Sequence, residues 1–531
     1  MTPGDGRTRR ELLRGTAAGT LALAGSSLLA ACGSSSSTSG GSQQAAAATT
    51  GNIKRGGTLR AGVAGGSAKD TIDAHMGGTT DADVARGFQL YEPLAIRDPD
   101  YQLKMLVAES IEADGGPDAW VVRVRDGVEF HDGKPVTADD VIFSIRRILD
   151  PKNPGTGASS LAGIDLKRLK KVDGRTVRIP LKAPDSGFPD QIGQYFNTIV
   201  PTGYDPKNPI GTGPFRYKSF TPGQESTFVR FDGYWDTPAH LDEVVIIDFP
   251  DDTARVNALL GGQVHAISNL PPSQVRSIES RGTLRALVSE TGGWQPLLMR
   301  ADQAPFDDVR VRQAFKLIAD RKQLIQQALD GQGRIANDIY APYDPAYNHD
   351  IPQRQQDLEQ AKSLLRQAGR SDLTVQLTTA PFAAGIVEAA QVFAQQAKGA
   401  GVNVQVKKVN QATYWGPQYL KWLFSQDFWF TRSFLAQVAQ GNTPDAPYNQ
   451  THWRNDRWLS LYQQAKRELD DSKRTDLIHE MQRIQHDEAG ELIWAFNNQV
   501  DGYSAQVAGF RPAKSGIPLT SYDFKSVGFV A

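Results

Sequence analysis

The sequence contains one cysteine, Cys32, at the end of an apolar segment near the amino terminus. A chain with one cysteine cannot close a disulfide within itself, so its folded state must be stabilised by burial of a core. Residues 7–14 carry four arginines, and residues 16–29 form the apolar segment. This segment is shorter than the roughly 20 residues that a membrane-spanning helix requires. The order of basic start, apolar segment and cysteine is typical of a secretory signal, which we predict to be residues 1–31.

The end of the signal indicates how the mature chain is attached to the membrane. Leu29-Ala30-Ala31-Cys32 resembles the lipobox of bacterial lipoproteins, in which the cysteine is acylated and becomes the first mature residue. The resemblance implies lipidation at Cys32 and a location at the cell membrane, on its extracytoplasmic face. Residues 8–13 resemble a twin-arginine export signal, although arginine-rich starts also serve general secretion. The alternative is a basic tail followed by a short core helix.

Residues 32–55 have the composition of a flexible tether. Serine and glycine dominate its first part, and alanine follows, so this stretch cannot form a core. About 20 such residues reach roughly 25 Å as a random coil. We expect the folded body to begin near Gly56.

The composition of the chain describes an ordinary globular protein. Hydrophobic residues make up 40% and charged residues 22% of the 531-residue chain, and the net charge is −1. No long basic block stands outside the signal, which argues against a nucleic-acid partner. The length after the signal is too great for one core, so two or three domains are expected.

Strand and helix patterns alternate along the mature chain and predict α/β or α+β layers. The predicted strands lie at residues 57–63, 120–125, 227–231, 244–247 and 402–406. The predicted helices are one capped by Thr137, one each at 252–260, 309–328, 357–368 and 384–400, and two within 456–489.

No catalytic or metal-binding pattern stands out in the sequence. His479-Glu480 begins like a zinc protease motif, but the position four residues after His479 is Arg483. The carboxylate pairs Asp139-Asp140 and Asp307-Asp308 are interpreted as helix starts. We therefore predict a protein that is not an enzyme and has no cofactor and no metal.

Five segments of the chain together resemble one family. They are 105–110 with 124–144, 210–215 with 233–235, 305–315, 357–369 and 456–489. They are similar to the dipeptide, oligopeptide and nickel solute-binding proteins of ABC importers, called family 5. The resemblance covers nearly all of residues 56–531. The His131-Asp132-Gly133 turn in the first segment is interpreted as structural.

The family resemblance implies an α/β, two-lobe periplasmic-binding-protein-like fold of class II, cluster C type, with an extra domain inserted in lobe one. On this basis lobe one comprises 56–285, with the inserted subdomain at about 92–190. Lobe two comprises 286–495, and 496–531 returns to lobe one. A ligand would be enclosed between the lobes.

One departure from the family pattern concerns ligand charge. In peptide-binding relatives, a tryptophan is followed three places later by an aspartate that holds the free amino group of the peptide. The matching residues here are Trp429 and Arg432, so the acid position carries an arginine. We predict ligand contacts from Trp429, Phe430 and Arg432, with Trp294 on the facing wall. The alternative is that the aromatic residues around them are core and Arg432 is a surface residue.

The resemblance implies a monomeric lipoprotein that delivers a small solute or peptide to an ABC permease and its ATPase. The arginine at position 432 predicts an anionic group on that solute. A receptor that signals the presence of a ligand to a partner protein is a second interpretation. A periplasmic hydrolase on a similar scaffold is a third, and it would need a nucleophile–base pair or a metal cluster.

Overall fold

Strands and helices alternate along the residues that the computed structural model describes, 52–77 and 80–531. The signal sequence, Cys32 and the tether up to residue 51 lie outside the described residues, so the predictions for them stay predictions. The strands are β1 (Ile53–Lys54), β2 (Thr58–Ala64), β3 (Ala95–Arg97), β4 (Leu103–Met105), β5 (Ala108–Ala113), β6 (Ala119–Val124), β7 (Lys170–Lys171), β8 (Thr176–Pro180), β9 (Phe215–Thr221), β10 (Glu225–Arg230), β11 (Glu243–Phe249), β12 (Ala266–Ile267), β13 (Leu284–Trp294), β14 (Leu297–Met299), β15 (Gly333–Ile335), β16 (Thr374–Thr379), β17 (Asn403–Lys408), β18 (Phe424–Gln426), β19 (Glu491–Leu492), β20 (Ala495–Ser504), β21 (Val507–Ala508) and β22 (Gly528–Val530).

The helices are α1 (Asp81–Leu90), α2 (Ala138–Ile148), α3 (Ala158–Leu161), α4 (Phe188–Ile192), α5 (Asp252–Leu260), α6 (Val275–Glu279), α7 (Val309–Ile318), α8 (Arg321–Ala328), α9 (Leu358–Gln367), α10 (Ile386–Lys398), α11 (Gln411–Tyr414), α12 (Phe434–Gly441), α13 (Asp456–Ala465) and α14 (Asp471–Glu488). A left-handed turn at Pro518–Ser521 follows the last long strand. Within the described ranges, no helix is both long and apolar enough to cross a membrane.

Lobe one is built on an eight-stranded sheet in the order β13-β20-β12-β2-β11-β10-β9, with β15 paired to β20. Strands β2 and β11 are parallel and pair from Thr58 with Glu243 to Ala64 with Phe249. Such central strands are buried on both faces, which accounts for the nearly continuous apolar run in β11. Leu59, Val244 and Ile246 are fully buried in its core.

A second body projects from lobe one and has a core of its own. Its four-stranded sheet has the order β5-β6-β8-β7 and packs with α2. The side chain of Asp140 accepts hydrogen bonds from the backbone N–H of Thr137 at 2.9 Å and its hydroxyl at 2.7 Å. The N-cap predicted for α2 is therefore confirmed. Its buried core residues run from Leu94 to Ile199, and we call this body the inserted subdomain.

Lobe two surrounds the sheet β18-β14-β19 and the parallel pair β16-β17. Its core contains an aromatic cluster in which Phe315 meets Phe306 at 5.0 Å and Phe424 at 5.5 Å between ring centroids, both edge to face. This is the arrangement that aromatic rings prefer when they pack. Phe424 is therefore a core residue.

Strands β13 and β20 form the connection between the two lobes. Their antiparallel ladder runs from Leu284 with Ser504, beside β12 in lobe one, to Trp294 with Phe496. Beyond these ends the chain enters β14 and leaves β19 of lobe two. Two paired strands that cross from one core to another provide the hinge that the family resemblance implied. The exact domain boundaries given above stay predictions.

One region predicted to be helical is divided into two helices. The region 309–328 contains two helices, α7 and α8, separated at Ala319 and Asp320. Asp320 leaves the helical conformation, and its side chain accepts a hydrogen bond from the backbone N–H of Gln323 at 3.0 Å. An aspartate that caps a new helix ends the preceding helix and lets the chain change direction, although the apolar spacing continues. The helix predicted at 252–260 and the division within 456–489 are confirmed.

Candidate functional site

A cleft with a volume of about 470 Å³ opens beside the hinge strands. Its lobe-one wall includes Arg255 and Asn269, its floor includes Thr291 and Asn497, and its lobe-two wall is residues 428–431. Arg255 is already engaged, because it donates to Asp252 at 2.8 Å and to the backbone oxygen of Ser268 at 2.9 Å. The side-chain oxygen of Asn497 is buried without a hydrogen-bond partner. The floor therefore includes a polar side chain whose hydrogen-bonding capacity the protein leaves unfilled.

An adjoining cavity of about 490 Å³ shares the segment 428–430 with this cleft. The cavity is mostly aromatic. Its lining residues are Phe382, Gln411, Trp415, Tyr419, Asp427, Phe428, Trp429, Phe430, Arg432 and Tyr448. Phe430 is 59% exposed, Tyr448 44% and Phe428 36%, although large apolar side chains are usually buried. Exposed aromatic groups around a concave space are typical of a ligand site.

The segment that carries Trp429, Phe430 and Arg432 is held by the backbone on both sides. Trp429 pairs with Trp294 through two backbone hydrogen bonds of 2.9 and 3.0 Å. The hydroxyl of Thr431 accepts from Gly292 N–H at 2.9 Å and donates to the backbone oxygen of Lys514 at 2.8 Å. In such an extended segment, successive side chains point to opposite sides, so Phe430 faces the cavity while Thr431 faces the hinge.

Arg432 lines the cavity without an acidic partner. Its guanidinium lies 5.5 Å above the ring of Trp429, and it donates a long hydrogen bond of 3.5 Å to the side-chain oxygen of Gln437. No carboxylate of the described residues lies within ion-pair distance of it. Burial lowers the pKa of Arg432, while the phenols of Tyr101, Tyr195 and Tyr448 act in the opposite direction.

The predicted residue Trp294 lies behind Trp429. Its side chain is 3% exposed and stacks between Trp429 at 5.9 Å and Tyr340 at 5.4 Å. It would act on a ligand through Trp429 rather than by direct contact. The role assigned to Trp294 thus stays a prediction.

Asp427 was not predicted from the sequence, although it stands two residues before Trp429. Asp427 is 3% exposed and lines the cavity. Burial raises its pKa to about 7, although hydrogen bonds from Phe428 N–H and the Tyr419 hydroxyl favour its charged form. Phe382 and Gln411 were also missed, because nothing near them in the sequence indicates that they meet this segment. No group of three or more potential metal ligands occurs within 52–77 and 80–531.

Comparison with known proteins shows the family to which this chain belongs. The model of bacterial extracellular solute-binding proteins, family 5 Middle, matches residues 102–455. That match covers more than half of the chain. The chain belongs to this family. The role of a family 5 protein is to bind a solute outside the cytoplasm, and the proteins of this family are binding proteins rather than enzymes.

Several relatives of this family 5 chain are similar over most of its length. It is 27% identical to the dipeptide-binding protein of Escherichia coli over 465 residues, which is 79% of this chain and 85% of that protein. The ABC transporter substrate binding protein CtaP of Listeria monocytogenes has a TM-score of 0.79 at 22% identity, covering 90% of this chain and 100% of that chain. The oligopeptide-binding protein AppA of Bacillus subtilis, solved with a nonapeptide, has a TM-score of 0.71 at 24% identity, with coverages of 90% and 100%. These likenesses confirm the two-lobe fold.

Proposed function

We propose that this protein captures a solute with at least one negative group between its lobes and delivers it to the permease and ATPase of an ABC importer. The observation that carries the proposal is Arg432, a part-buried guanidinium in the cavity wall with no acidic partner among the described residues. A carboxylate or phosphate on the ligand would supply that partner.

The physical cost of an unpaired guanidinium supports an anionic ligand. A charge at the wall of a closing cleft loses hydration, and this loss is unfavourable unless an opposite charge replaces the water. The planar guanidinium fits a carboxylate or phosphate through two parallel hydrogen bonds. The neighbouring rings of Trp429, Phe430 and Tyr448 would cover the apolar or planar part of the ligand. Such a ligand needs no free amino terminus.

The hinge supports delivery by closure. In this mechanism the ligand favours the closed form because it contacts both walls only there, and the closed form is recognised by the permease. An acyl group on Cys32 would hold the mature monomer at the outer face of the membrane. The tether would let its lobes reach the permease.

The test begins with native mass spectrometry of the protein purified from its own host, to identify a retained molecule. Calorimetric titration of that molecule into the parent and into Arg432→Ala then measures how much Arg432 contributes to the binding free energy. We expect the loss of Arg432 to weaken binding by about 2–5 kcal/mol if the pair is buried. The melting temperature of the empty protein should change little.

The matched control is Arg454→Ala, because Arg454 is 68% exposed and pairs with Asp456 on the surface of lobe two. It should bind like the parent. Equal affinities of the parent and Arg432→Ala would remove Arg432 from the site. Tight binding of cationic peptides with amidated carboxyl ends by the parent would overturn the anionic ligand.

A further inference from the structure

The cavity that Arg432 lines is also lined by an acid, Asp427, that forms no ion pair with any of the described residues. One oxygen of Asp427, Oδ1, accepts a hydrogen bond from Phe428 N–H at 2.7 Å. The other, Oδ2, accepts from Gln450 Nε2 and from the Tyr419 hydroxyl at 3.3 Å. In the part of the chain that the structure describes, no lysine, arginine or histidine lies within ion-pair distance of this carboxylate. Both oxygens thus have donors, but the charge has no counter-charge.

Four aromatic rings line the same cavity as Asp427. Trp415 meets Phe382 at 4.8 Å and 53° and Tyr419 at 4.8 Å and 71°, and Phe382 meets Phe428 at 5.9 Å and 41°. Because these rings are steeply inclined to one another, they form a corner and not a flat stack. All four line the cavity. The negative faces of such rings attract cations, most strongly when the cation is shielded from water.

We infer that this aromatic–acid pocket, formed by Phe382, Trp415, Tyr419, Phe428 and Asp427, binds a fully alkylated ammonium group of the ligand. The ligand would then be a zwitterion, with its negative group at Arg432. The inference rests on the proposed function, because both charged residues line the same cavity. It adds the chemical class of the cationic end of the solute.

The hydrogen bonding of Asp427 favours an alkylated ammonium over a primary one. A primary ammonium carries three N–H donors and needs three acceptors. Here the carboxylate already accepts three hydrogen bonds from the protein, and the other four residues of this pocket are aromatic. A quaternary ammonium has no N–H donor. It supplies a positive charge to the carboxylate, and its methyl groups pack on the ring faces.

The same pocket is poorly matched to a purely apolar group. Burial raises the pKa of Asp427 to about 7, so a large part of the carboxylate is ionised at neutral pH. An uncharged alkyl group would displace water from this charge without compensating it. A cation of the same shape compensates it.

The test compares matched probes by calorimetry on the mature protein. The probes are choline, its uncharged analogue with a tert-butyl group in place of the trimethylammonium, and γ-butyrobetaine, which joins a trimethylammonium to a carboxylate. We expect choline to bind saturably and at least about tenfold more tightly than its analogue. γ-Butyrobetaine should bind more tightly than choline if its carboxylate pairs with Arg432, which lines the same cavity.

Two variants separate this inference from the proposed function. Asp427→Asn should remove the preference for choline over its analogue, and Arg432→Ala should remove only the advantage of γ-butyrobetaine over choline. Asp126→Asn is the control, because Asp126 is 91% exposed at the surface of the inserted subdomain, and it should behave like the parent. If Asp427→Asn does not fold, Trp415→Leu, which keeps an apolar side chain, should weaken choline and spare its analogue.

Choline that binds no more tightly than its analogue, or that shows no saturable binding, overturns the ammonium pocket. A preference for choline that persists unchanged in folded Asp427→Asn overturns it as well. A preference for choline lost in Asp427→Asn, with γ-butyrobetaine unaffected by Arg432→Ala, leaves the pocket standing and refutes the anion site.

Discussion

Trp294 and Trp429 bond to each other through their backbones in both directions, and their rings stack. Trp294 N–H donates to the backbone oxygen of Trp429 at 3.0 Å, and Trp429 N–H donates back at 2.9 Å. The ring centroids are 5.9 Å apart with planes inclined by 19°. Trp294 ends the hinge strand β13, while Trp429 lines both cavities. A rotation of the hinge strand would therefore move the cavity wall that Trp429 forms.

The first prediction contrasts a buried and an exposed aromatic residue of this unit. Trp294→Ala should lower the free energy of unfolding by about 3–5 kcal/mol, because it leaves a cavity between Tyr340 and Trp429. Phe430→Ala should change that free energy by less than about 0.5 kcal/mol, because Phe430 is 59% exposed. Denaturant titration measures both. A Trp294→Ala protein as stable as the parent would contradict the supporting role of Trp294.

The second prediction concerns acid stability and His131. Gly211 N–H donates to Nδ1 of His131 at 3.3 Å, which leaves Nε2–H to donate to the backbone oxygen of Gly213 at 3.0 Å. Burial lowers the pKa of His131 from 6.5 to about 4, with a smaller contribution from Arg216. Because the pKa of His131 is lower in the folded protein than in the unfolded chain, the unfolded chain takes up a proton first as the pH falls. The stability that comes from burying a neutral His131 is therefore fully present above pH 6.5 and is lost as the pH falls towards 4.

His131→Gln keeps one donor and one acceptor but does not titrate. Across that acidic range it should lose less stability than the parent, by on the order of 2–3 kcal/mol. Melting curves at a series of pH values measure the difference. Parallel profiles for the two proteins would show that His131 is not held neutral by the fold.

The third prediction concerns lobe closure. The inserted subdomain touches lobe two where Ser186 N–H donates to the backbone oxygen of Lys466 at 2.8 Å, and Lys466 pairs with Asp185 at 3.0 Å. Both ion-pair side chains are mostly buried. A saturating ligand should reduce the radius of gyration in small-angle scattering and raise the melting temperature by mass action.

Lys466→Ala removes this ion pair between the inserted subdomain and lobe two. If ligand binding favours the form in which the two bodies touch, the affinity for ligand should fall by about 0.5–1 kcal/mol. A clear rise in melting temperature with an unchanged radius of gyration would mean that the ligand binds without closure.

The fourth prediction concerns the proposed anchor. Cys32→Ala should leave folding unchanged and release the protein from the membrane, because the acyl group would be the attachment of the mature chain. Fractionation after a high-salt wash measures the release. A processed Cys32→Ala protein that stays in the membrane fraction would refute the lipoprotein assignment.

Helix starts were predictable from the sequence because capping acts over a few residues. The side chain of Asp357 accepts from Gln360 N–H at 2.8 Å, and Asp308 accepts from Arg310 N–H at 2.9 Å, as the positions of these acids before apolar runs indicated. The break between the two helices within 309–328 is also set by a local cap. Asp320 starts a new helix there, but the continuing apolar spacing masked its cap.

The sequence by itself determined the alternation of strands and helices, the family resemblance and the arginine in place of an acid at 432. Only the tertiary structure decided what surrounds that arginine. Tyr101 and Tyr195 reach it from the inserted subdomain, and Gln450, 23 residues beyond Asp427, completes the hydrogen bonds of that acid. Caps and periodicity are local, so neighbouring residues reveal them. Whether a buried charge is paired depends on which distant segments the fold brings within a few ångströms. The periodicity of the sequence does not reveal these long-range contacts.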